Sequence, residues 1–389
     1  MIELPLAPLE EAERRHEARV IAAIDAELER AGGWLPFARY MELALYAPGL
    51  GYYAAGAHKL GAGGDFVTAP ELSPVFARCL AEQCAEVLGA LGGGEILELG
   101  AGSGALAAEL IASLARLGRP PARYRILEPS PELAARQRAR LEGAAVPVEW
   151  LERVPQAPFA GLLVANEVAD ALPVERFRVG AAGVESLGVA REGGRFAWRA
   201  RAASAAVAAE VAALSASLPA PLAIGYESEY CPSLGAWLGA VSAPLARGVA
   251  LFVDYGTERR EYYAPGRAGG TLACHHRQRR HADPFVNVGL QDLTAWVDFT
   301  RLAEAGLAHG LELAGYTSQA NFLLALSFER QLAALRAALP AAEAPFAVRA
   351  AARLVLPAEM GDRFRVMAFA RDYERPLAGF ALRDFSAAL

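Results

Sequence analysis

Lysine is almost absent from this 389-residue sequence: Lys59 is the only one, and arginine supplies every other cationic side chain. Asparagine is nearly as scarce, at Asn166, Asn287 and Asn321. The formal net charge is −6, so the chain lacks the basic excess with which proteins neutralise the phosphates of nucleic acids. We therefore expect no nucleic-acid partner.

Cysteines are few, and their spacing is not that of a metal site. The four are Cys79, Cys84, Cys231 and Cys274, and they look like the reduced thiols of an intracellular protein. The segment from Cys274 to Asp283 adds three histidines, but its spacing matches no zinc pattern and its arginines would repel a cation. We expect no bound metal.

Long apolar runs are also lacking, since no stretch reaches the roughly 20 residues that span a bilayer. The Ala-rich stretch from Ala202 to Leu218 is interrupted by Glu210 and three serines, which is typical of a helix in contact with water. The N-terminal residues from Glu10 to Arg19 resemble neither a signal peptide nor a transit peptide. The sequence therefore predicts a cytoplasmic protein with no membrane insertion.

The stretch from Glu95 to Gly104 is the one around which the rest is organised. A short apolar strand ends at Gly100, Gly102 and Gly104, and a helix of small residues follows. Such a turn brings backbone N–H groups and a helix N-terminus close to a ligand. It also fits the loose dinucleotide fingerprint, but Glu98 would repel a pyrophosphate. S-adenosylmethionine (SAM) carries an ammonium and a sulfonium instead, so the turn favours SAM over NAD.

Strands and helices alternate after this turn. The alternation predicts an α/β fold with a mostly parallel sheet and helices on both faces. Ligands bind such sheets at the carboxyl ends of the strands, where Glu128, Asn166 and Glu167 lie. Glu128, which closes the second strand, can accept both hydroxyls of a ribose. The predicted strands are 96–99, 124–127, 147–151, 162–165, 248–256, 311–316 and 363–370.

The chain divides into a core and two further parts. Residues 91–173, 246–257 and 301–389 are expected to form the cofactor-binding core. Residues 1–90 form an N-terminal helical segment and a loop, and residues 174–245 and 258–300 are insertions that form a lobe over the active edge of the sheet. Within the insertions we predict a small β unit at 174–200, a helix that begins at 227–232, and another that begins at 292–299 with Trp296 and Asp298 facing the cleft.

A polar, glycine-rich loop precedes the helix predicted at 74–91. It carries Lys59, Asp65, Thr68 and Glu71 and has the periodicity of neither a strand nor a helix. A loop of this length in a compact protein is more often functional than a passive connection. We expect Asp65 and Thr68 to close over the cofactor.

Six motifs follow one another in a specific order along most of the chain. They are Gly51–Tyr53, Lys59–Glu71, Glu98–Gly104, Asn166–Pro173, Asp254–Gly256 and Asp292–Phe299. Together they resemble the MidA family of SAM-dependent methyltransferases, whose mitochondrial members assist the assembly of respiratory complex I. The chain departs from the family at Val168 and Ala169, where aromatic residues are common, and at Trp296, where many relatives have a polar residue.

The resemblance implies a class I methyltransferase core, Rossmann-like, with a protein arginine side chain as the acceptor, in a subunit of complex I type. Methyl transfer is an in-line displacement that depends on alignment. A guanidinium needs carboxylates that pair with it, and we expect Glu167 and Asp170 to provide them, with Asp298 behind. Asn166 is expected to join the glycine turn and Glu128 around SAM.

Two alternatives stay open at this point. A chaperone-like assembly factor would bind SAM as a structural ligand without turnover, and it needs the same pocket. An NAD-dependent oxidoreductase would need the glycine turn to accept a pyrophosphate beside Glu98. A homodimer is compatible with the sequence, which sets neither the acceptor protein nor the number of methyl groups added.

Overall fold

The computed structural model describes residues 8–55 and 68–389, whose elements are numbered here in chain order. The strands are β1 (Glu95–Leu99), β2 (Tyr124–Leu127), β3 (Val148–Leu151), β4 (Phe159–Asn166), β5 (Glu175–Gly180), β6 (Gly183–Glu192), β7 (Arg195–Ala202), β8 (Glu227–Tyr230), β9 (Leu245–Thr257), β10 (Ala273–His276), β11 (Arg279–His281), β12 (Asp292–Thr294), β13 (Val297–Asp298), β14 (Glu312–Ser318) and β15 (Phe364–Arg371). The helices are α1 (Glu11–Arg30), α2 (Phe37–Tyr46), α3 (Ala69–Leu72), α4 (Pro74–Leu91), α5 (Ala105–Arg116), α6 (Pro131–Arg140), α7 (Ala205–Ala216), α8 (Leu234–Ser242), α9 (Arg259–Tyr262), α10 (Phe299–Ala308), α11 (Gln319–Ala325), α12 (Phe328–Ala338) and α13 (Ala344–Ala352).

A mostly parallel sheet of eight strands lies at the centre. Seven follow the order β14-β15-β9-β4-β1-β2-β3, and β13 pairs with β9. β15 is the reversed strand, antiparallel to both of its neighbours. β2 and β4 flank β1 on opposite sides, so the direction of winding changes between β1 and β4, and ligands of open α/β sheets bind at such a point. The predicted α/β architecture is confirmed.

Apolar residues of the central strands alternate between two buried faces. Ile96, Leu162 and Val164 pack on the face that carries α4, α5 and α11. Their neighbours Leu97 and Leu163 pack on the opposite face with α8 and α10. Burial on both faces explains why these strands read as continuous apolar runs in the sequence.

The inserted segments and the N-terminal helices pack together beside the sheet. β5, β6 and β7 form the small β unit predicted at 174–200, and β8 completes it as a four-stranded antiparallel sheet. α2 packs against this sheet through Phe37, whose ring centroid lies 4.7 Å from that of Trp198. The hydroxyl of Tyr46 donates to Ala171 O at 2.9 Å and so joins α2 to the turn that follows β4.

One local prediction is wrong and a second is right only in part. The helix expected to begin at 227–232 is instead β8, in which Tyr230 pairs with Glu175 of β5, and the helix begins at Leu234. A helix does begin within 292–299, at Phe299, but the residues before it form the short strands β12 and β13. In both places the pairing partner is far away in sequence, so the local pattern carried no signal of it.

Two helices pack in a different part of the molecule from the one predicted for their segments. α4, which we grouped with residues 1–90, packs against α5 and the central sheet. α8, which we grouped with the insertions, packs on the other face of that sheet beside α10. Both helices therefore belong to the layers of the core.

The residues that the structure describes contain neither a membrane-spanning helix nor a disulfide bond. Across the ranges that the structure describes, no helix has both the length and the apolar character needed to cross a bilayer. All four cysteines are free, and Cys79, Cys84 and Cys274 are buried. Burial raises the pKa of Cys79 to about 12, so it stays a protonated thiol.

Candidate functional site

A cavity of about 780 Å³ opens at the carboxyl ends of β1 and β4, where the winding direction changes. Its volume lies within the range of about 300–1,000 Å³ that is common for small-molecule sites. The walls come from the glycine turn, the ends of β2 and β3, the segments 46–54 and 68–71, and α8. Glu98, Gly100, Gly102, Glu128, Asn166 and Glu167 all line it.

The glycine turn has the conformation that its sequence predicts. The φ angles of Gly100, Gly102 and Gly104 are 59°, 54° and 81°, in the left-handed region that residues with a Cβ rarely adopt. Gly104 is the N-cap of α5 and offers no side-chain cap. The first N–H groups of α5 therefore lie beside the cavity without a side-chain acceptor from the cap.

Glu98 is a buried carboxylate at the tip of β1. Its Oε2 accepts a hydrogen bond from the hydroxyl of Tyr124 at 2.7 Å. Burial raises the pKa of Glu98 to about 7, although the hydrogen bond from Tyr124 opposes this shift. A cation bound in the cavity would favour the ionised form of Glu98.

Glu128 directly follows the last residue of β2. Its Oε1 accepts from Ser130 N at 2.9 Å, and its Oε2 accepts from Gln137 Nε2 at 3.0 Å. Burial raises its pKa above the usual range. Both oxygens are thus held in place, which suits a carboxylate that binds neighbouring hydroxyls.

The segment around α3 crosses the glycine turn and contacts it directly. Glu71 Oε1 accepts from the hydroxyl of Ser103 and, at 3.1 Å, from Arg140 Nη1. Thr68 lines the cavity, as the sequence predicts for a cofactor contact. Asp65, the other loop residue singled out, lies outside the described residues.

β4 ends in a strained turn that carries the candidate acceptor residues. Glu167 has a φ of 54°, which is uncommon for a residue with a Cβ. Its Oε1 accepts from Ala69 N at 3.2 Å and from Asn166 Nδ2 at 3.1 Å. The other amide atom, Asn166 Oδ1, is buried and has no hydrogen-bond partner among the described residues, so it is an acceptor available to a ligand.

A group of acidic side chains surrounds this turn. Burial and the nearby carboxylate of Asp170 raise the pKa of Glu167 to about 8. Burial also raises the pKa of Asp170 to about 6, against the opposing effect of a hydrogen bond from Tyr255. Asp254, 3% exposed, has its pKa raised by burial and by both of these carboxylates. A cation bound here would favour the ionised forms of these carboxyl groups, so the cluster suits a cationic ligand.

Two tyrosines, Tyr46 and Tyr53, also line the cavity. The rings of Tyr46 and Tyr53 stack with centroids 5.5 Å apart and an interplanar angle of 19°. The hydroxyl of Tyr53 donates to Asp292 Oδ1 at 2.9 Å. Burial raises the pKa of Tyr53 well above its usual range, so its hydroxyl stays a neutral donor.

Asp298 is the predicted catalytic residue that the structure does not bring to the cavity. Its Oδ1 accepts from Arg301 N at 3.0 Å as the N-cap of α10, and its Oδ2 accepts from Arg259 Nε at 3.3 Å. Trp296 also lies elsewhere, with the Arg267 guanidinium 4.3 Å from its ring centroid. Both residues border a much smaller cavity beside Tyr262.

Several residues in or beside the cavity had not been singled out in the sequence. Gln137 is fully buried on α6, but it lies between two arginines, and the local pattern gives no signal of its partners. Tyr46 is the last residue of α2 and lines the cavity. Residues 152–154 follow β3 and line the cavity, and their position after a strand end could have identified them. β3 is short and largely half-buried, so its own pattern is weak.

Comparisons with known proteins agree with this site. A model of a family described as S-adenosyl-L-methionine-dependent methyltransferase matches residues 79–317, more than half of the chain. Protein arginine methyltransferase NDUFAF7, mitochondrial, of Danio rerio is 26% identical over 367 residues, which cover 86% of this chain and 83% of that protein. The NDUFAF7 homolog of Drosophila melanogaster is 28% identical, over 86% of this chain and 81% of that protein.

A solved structure from Burkholderia thailandensis, bound to S-adenosyl-homocysteine, is similar to this one along its whole length. It is 43% identical, has a TM-score of 0.92, and the match covers 99% of this chain and 100% of that chain. These findings confirm the resemblance to the MidA family, the class I methyltransferase core and SAM as the cofactor. The chain belongs to the family of SAM-dependent methyltransferases.

Proposed function

We propose that this methyltransferase transfers the methyl group of SAM to a guanidinium nitrogen of an arginine side chain in a protein. The observation that carries the proposal is the acidic turn after β4, where Glu167 lines the cavity beside the glycine turn and Asp170 lies close behind. The relatives from Danio rerio and Drosophila melanogaster are named protein arginine methyltransferases, which supports the same substrate class.

The residues of the cavity fit SAM. When bound, SAM supplies an electrophilic methyl group on a sulfonium. Glu98 would face the cationic part of the cofactor, and the N–H groups of the glycine turn would bind its carboxylate. Glu128 would accept the ribose hydroxyls. The unpaired Asn166 Oδ1 gives a buried acceptor for an N–H donor of either substrate, and Thr68 and Asp65 are kept as cofactor contacts.

The turn after β4 would hold the acceptor. Glu167 uses Oε1 for Ala69 N and Asn166 Nδ2, which leaves Oε2 for an incoming cation. A guanidinium beside it would lower its pKa from about 8, so that the bound state contains a carboxylate–guanidinium pair. The carboxylates would orient one nitrogen toward the methyl group, and Glu167 can take the proton that this nitrogen loses. A catalytic role for Asp298 stays a prediction, and its contacts with Arg301 and Arg259 do not favour that role.

Labelled SAM gives the most direct test. The purified protein is incubated with methyl-tritiated SAM and a lysate of cells that lack its gene, and labelled proteins are hydrolysed and analysed by mass spectrometry. We expect label in methyl-arginine with the wild type and none with Glu167→Gln. Label in methyl-lysine or in a carboxyl ester would overturn the assignment of arginine.

The same assay addresses the assembly-factor alternative. Binding of S-adenosyl-homocysteine with no transfer to any protein would favour a role without turnover. If transfer occurs, the labelled protein identifies the acceptor and tests whether it is a subunit of complex I type, as the resemblance implies.

The cytoplasmic location and the homodimer are also proposals. The free cysteines support a reducing compartment, whereas the curated relatives are named mitochondrial. Cell fractionation with an antibody tests the location, and light scattering of the purified protein tests the oligomeric state.

A further inference from the structure

The turn that carries Glu167 is held by contacts from several elements. β4 ends at Asn166, Glu167 then adopts a left-handed φ of 54°, and a short 3-10 turn follows at Ala169–Ala171. A residue with a Cβ stays in this conformation only where its surroundings impose it. Glu167 N donates to Val253 O at 2.8 Å, which fixes the start of the turn but not its continuation.

Ala295 N donates to Asp170 O at 2.9 Å, and the Tyr46 hydroxyl donates to Ala171 O. Asp254 holds the backbone amides between Glu167 and Ala171. Its Oδ2 accepts hydrogen bonds from three successive backbone amides, those of Val168 at 3.2 Å, Ala169 at 2.9 Å and Asp170 at 3.3 Å. Its Oδ1 accepts from Tyr255 N at 3.0 Å. We propose that Asp254 is a positioning residue for methyl transfer, which holds the turn after β4 so that Glu167 and Asp170 face the acceptor.

The position of Asp254 follows from the sheet. β9 runs parallel to β4, and Val253 pairs with Asn166 at the last step of the ladder. The next residue of β9 is therefore level with the start of the turn, and its side chain reaches the N–H groups that the turn leaves unpaired. Asp254 is 3% exposed and does not itself line the cavity, so it acts through the turn.

Removal of Asp254 should affect the turn more than the sheet or the cofactor. β9 is held on both sides by backbone pairing with β4 and β15, which does not use the Asp254 side chain. Glu98 lies on β1 and Glu128 directly follows β2, and they make their contacts with Tyr124, Ser130 and Gln137. Loss of the carboxylate would leave three buried N–H groups unpaired, so the turn would relax and move Glu167.

Two variants and one control make the test. Asp254→Ala removes all acceptors, whereas Asp254→Asn keeps one oxygen for the turn and places an NH₂ group against Tyr255 N. Glu229→Gln is the matched control, because Glu229 is also fully buried and accepts three hydrogen bonds, from Tyr262 and Thr271, away from the cavity. The inference rests on the proposed function only for the identity of the acceptor. One of the measurements below does not depend on the proposed function.

That measurement is hydrogen exchange at the amides of residues 168–170 in the full-length protein. We expect exchange about tenfold faster or more in Asp254→Ala, an intermediate effect in Asp254→Asn, and no change in Glu229→Gln. Methyl transfer from tritiated SAM to the lysate should fall about a hundredfold in Asp254→Ala, because small misplacements of reacting groups have effects of this size. The affinity for S-adenosyl-homocysteine, measured by calorimetry, should be nearly unchanged.

Three outcomes are decisive. Unchanged exchange at 168–170 in both variants would overturn the proposal, as would a loss of S-adenosyl-homocysteine affinity equal to the loss of transfer. If the wild type itself transfers no methyl group, the proposed function fails, while the exchange measurement still decides whether Asp254 holds the turn. Should Asp254→Ala not fold, the isosteric Asp254→Asn carries the same comparison with an intermediate expected loss.

Discussion

The side-chain amide of Gln137 donates to Glu128 Oε2 at 3.0 Å and to Gly102 O at 2.9 Å. Gln137 is fully buried, and its Oε1 accepts from Trp150 Nε1 at 3.0 Å, so the orientation of the amide is fixed. One side chain of α6 thus connects the glycine turn after β1 with the carboxylate after β2. These two parts of the cofactor site come from different strands and are otherwise joined through the backbone of the sheet.

Gln137→Leu should therefore weaken cofactor binding. The substitution keeps the side-chain volume but removes all three hydrogen bonds, including the one to the Glu128 carboxylate, and a hydrogen bond to a charged group contributes about 1.5–3 kcal/mol. We expect the affinity for S-adenosyl-homocysteine to fall about tenfold or more in calorimetry. Ala139→Ser, on the exposed side of the same helix, is the control and should bind like the wild type. Equal affinities for all three proteins would mean that Glu128 keeps its orientation without Gln137.

Glu167→Gln should separate binding from transfer. The variant keeps the shape of the side chain and removes the charge that would pair with a guanidinium. We expect transfer from tritiated SAM to fall about a hundredfold or more, with nearly unchanged affinity for S-adenosyl-homocysteine. The exposed Glu149→Gln on β3 serves as the control. Loss of affinity in step with transfer would show that Glu167 serves the cofactor and not the acceptor.

The same substitution should change how stability depends on pH. The pKa of Glu167 is raised to about 8 in the folded protein, whereas a glutamate of an unfolded chain has a pKa of about 4.3. The folded chain thus holds this proton more tightly, and the stabilisation present below about pH 4.3 is lost as the pH rises through about 8. Glu167→Gln cannot ionise. Its Tm relative to the wild type should therefore increase between about pH 5 and about pH 8.5, and a constant difference in thermal melts would contradict this.

Asp298 should matter for stability through its capping of α10. Asp298→Ala removes the N-cap acceptor of Arg301 N and one partner of Arg259, and lost N-caps cost about 1–2 kcal/mol. We expect a decrease of this size in the free energy of unfolding, measured in urea. Glu304→Gln, which alters the exposed partner of the same Arg259, should cost less. A loss of transfer per folded molecule would instead support the catalytic role predicted from the sequence.

The sequence predicted the parts of the fold and the site that depend on local pattern. The apolar strand before Gly100, the positive φ angles of the turn and the strand ends at Glu128 and Asn166 all follow from residues close together in the chain. Both faces of the central strands are buried, so their apolar runs gave a strong signal. Glu98 indicated a cationic cofactor because a carboxylate beside the glycine turn would repel a pyrophosphate and attract a cation.

The parts that were missed depend on contacts between distant residues. β8 looked like the start of a helix because its pairing with β5 is set almost fifty residues earlier in the chain, with Arg178 and Glu227 side by side in that pairing. The sequence showed Asp254 only as an acid at a strand end. Its contact with the amide of Ala169 depends on the register of β9 against β4, which the local pattern does not give. Asp298 was expected near the acceptor because its motif resembles the family, but the short strand β13 directs it to α10.

The N-terminal helix packs both on its neighbour α2 and on segments far along the chain. Glu17 accepts from Val288 N at 3.0 Å, and Glu13 pairs with Arg277, 264 residues away. During synthesis, α1 can pack on α2 as soon as both have emerged, but its contacts with residues 277–289 form only after about three quarters of the protein has left the ribosome. In nascent chains halted before that length, the side of α1 that meets these residues should be accessible to proteases and chaperones, and it should be covered once residue 290 has emerged.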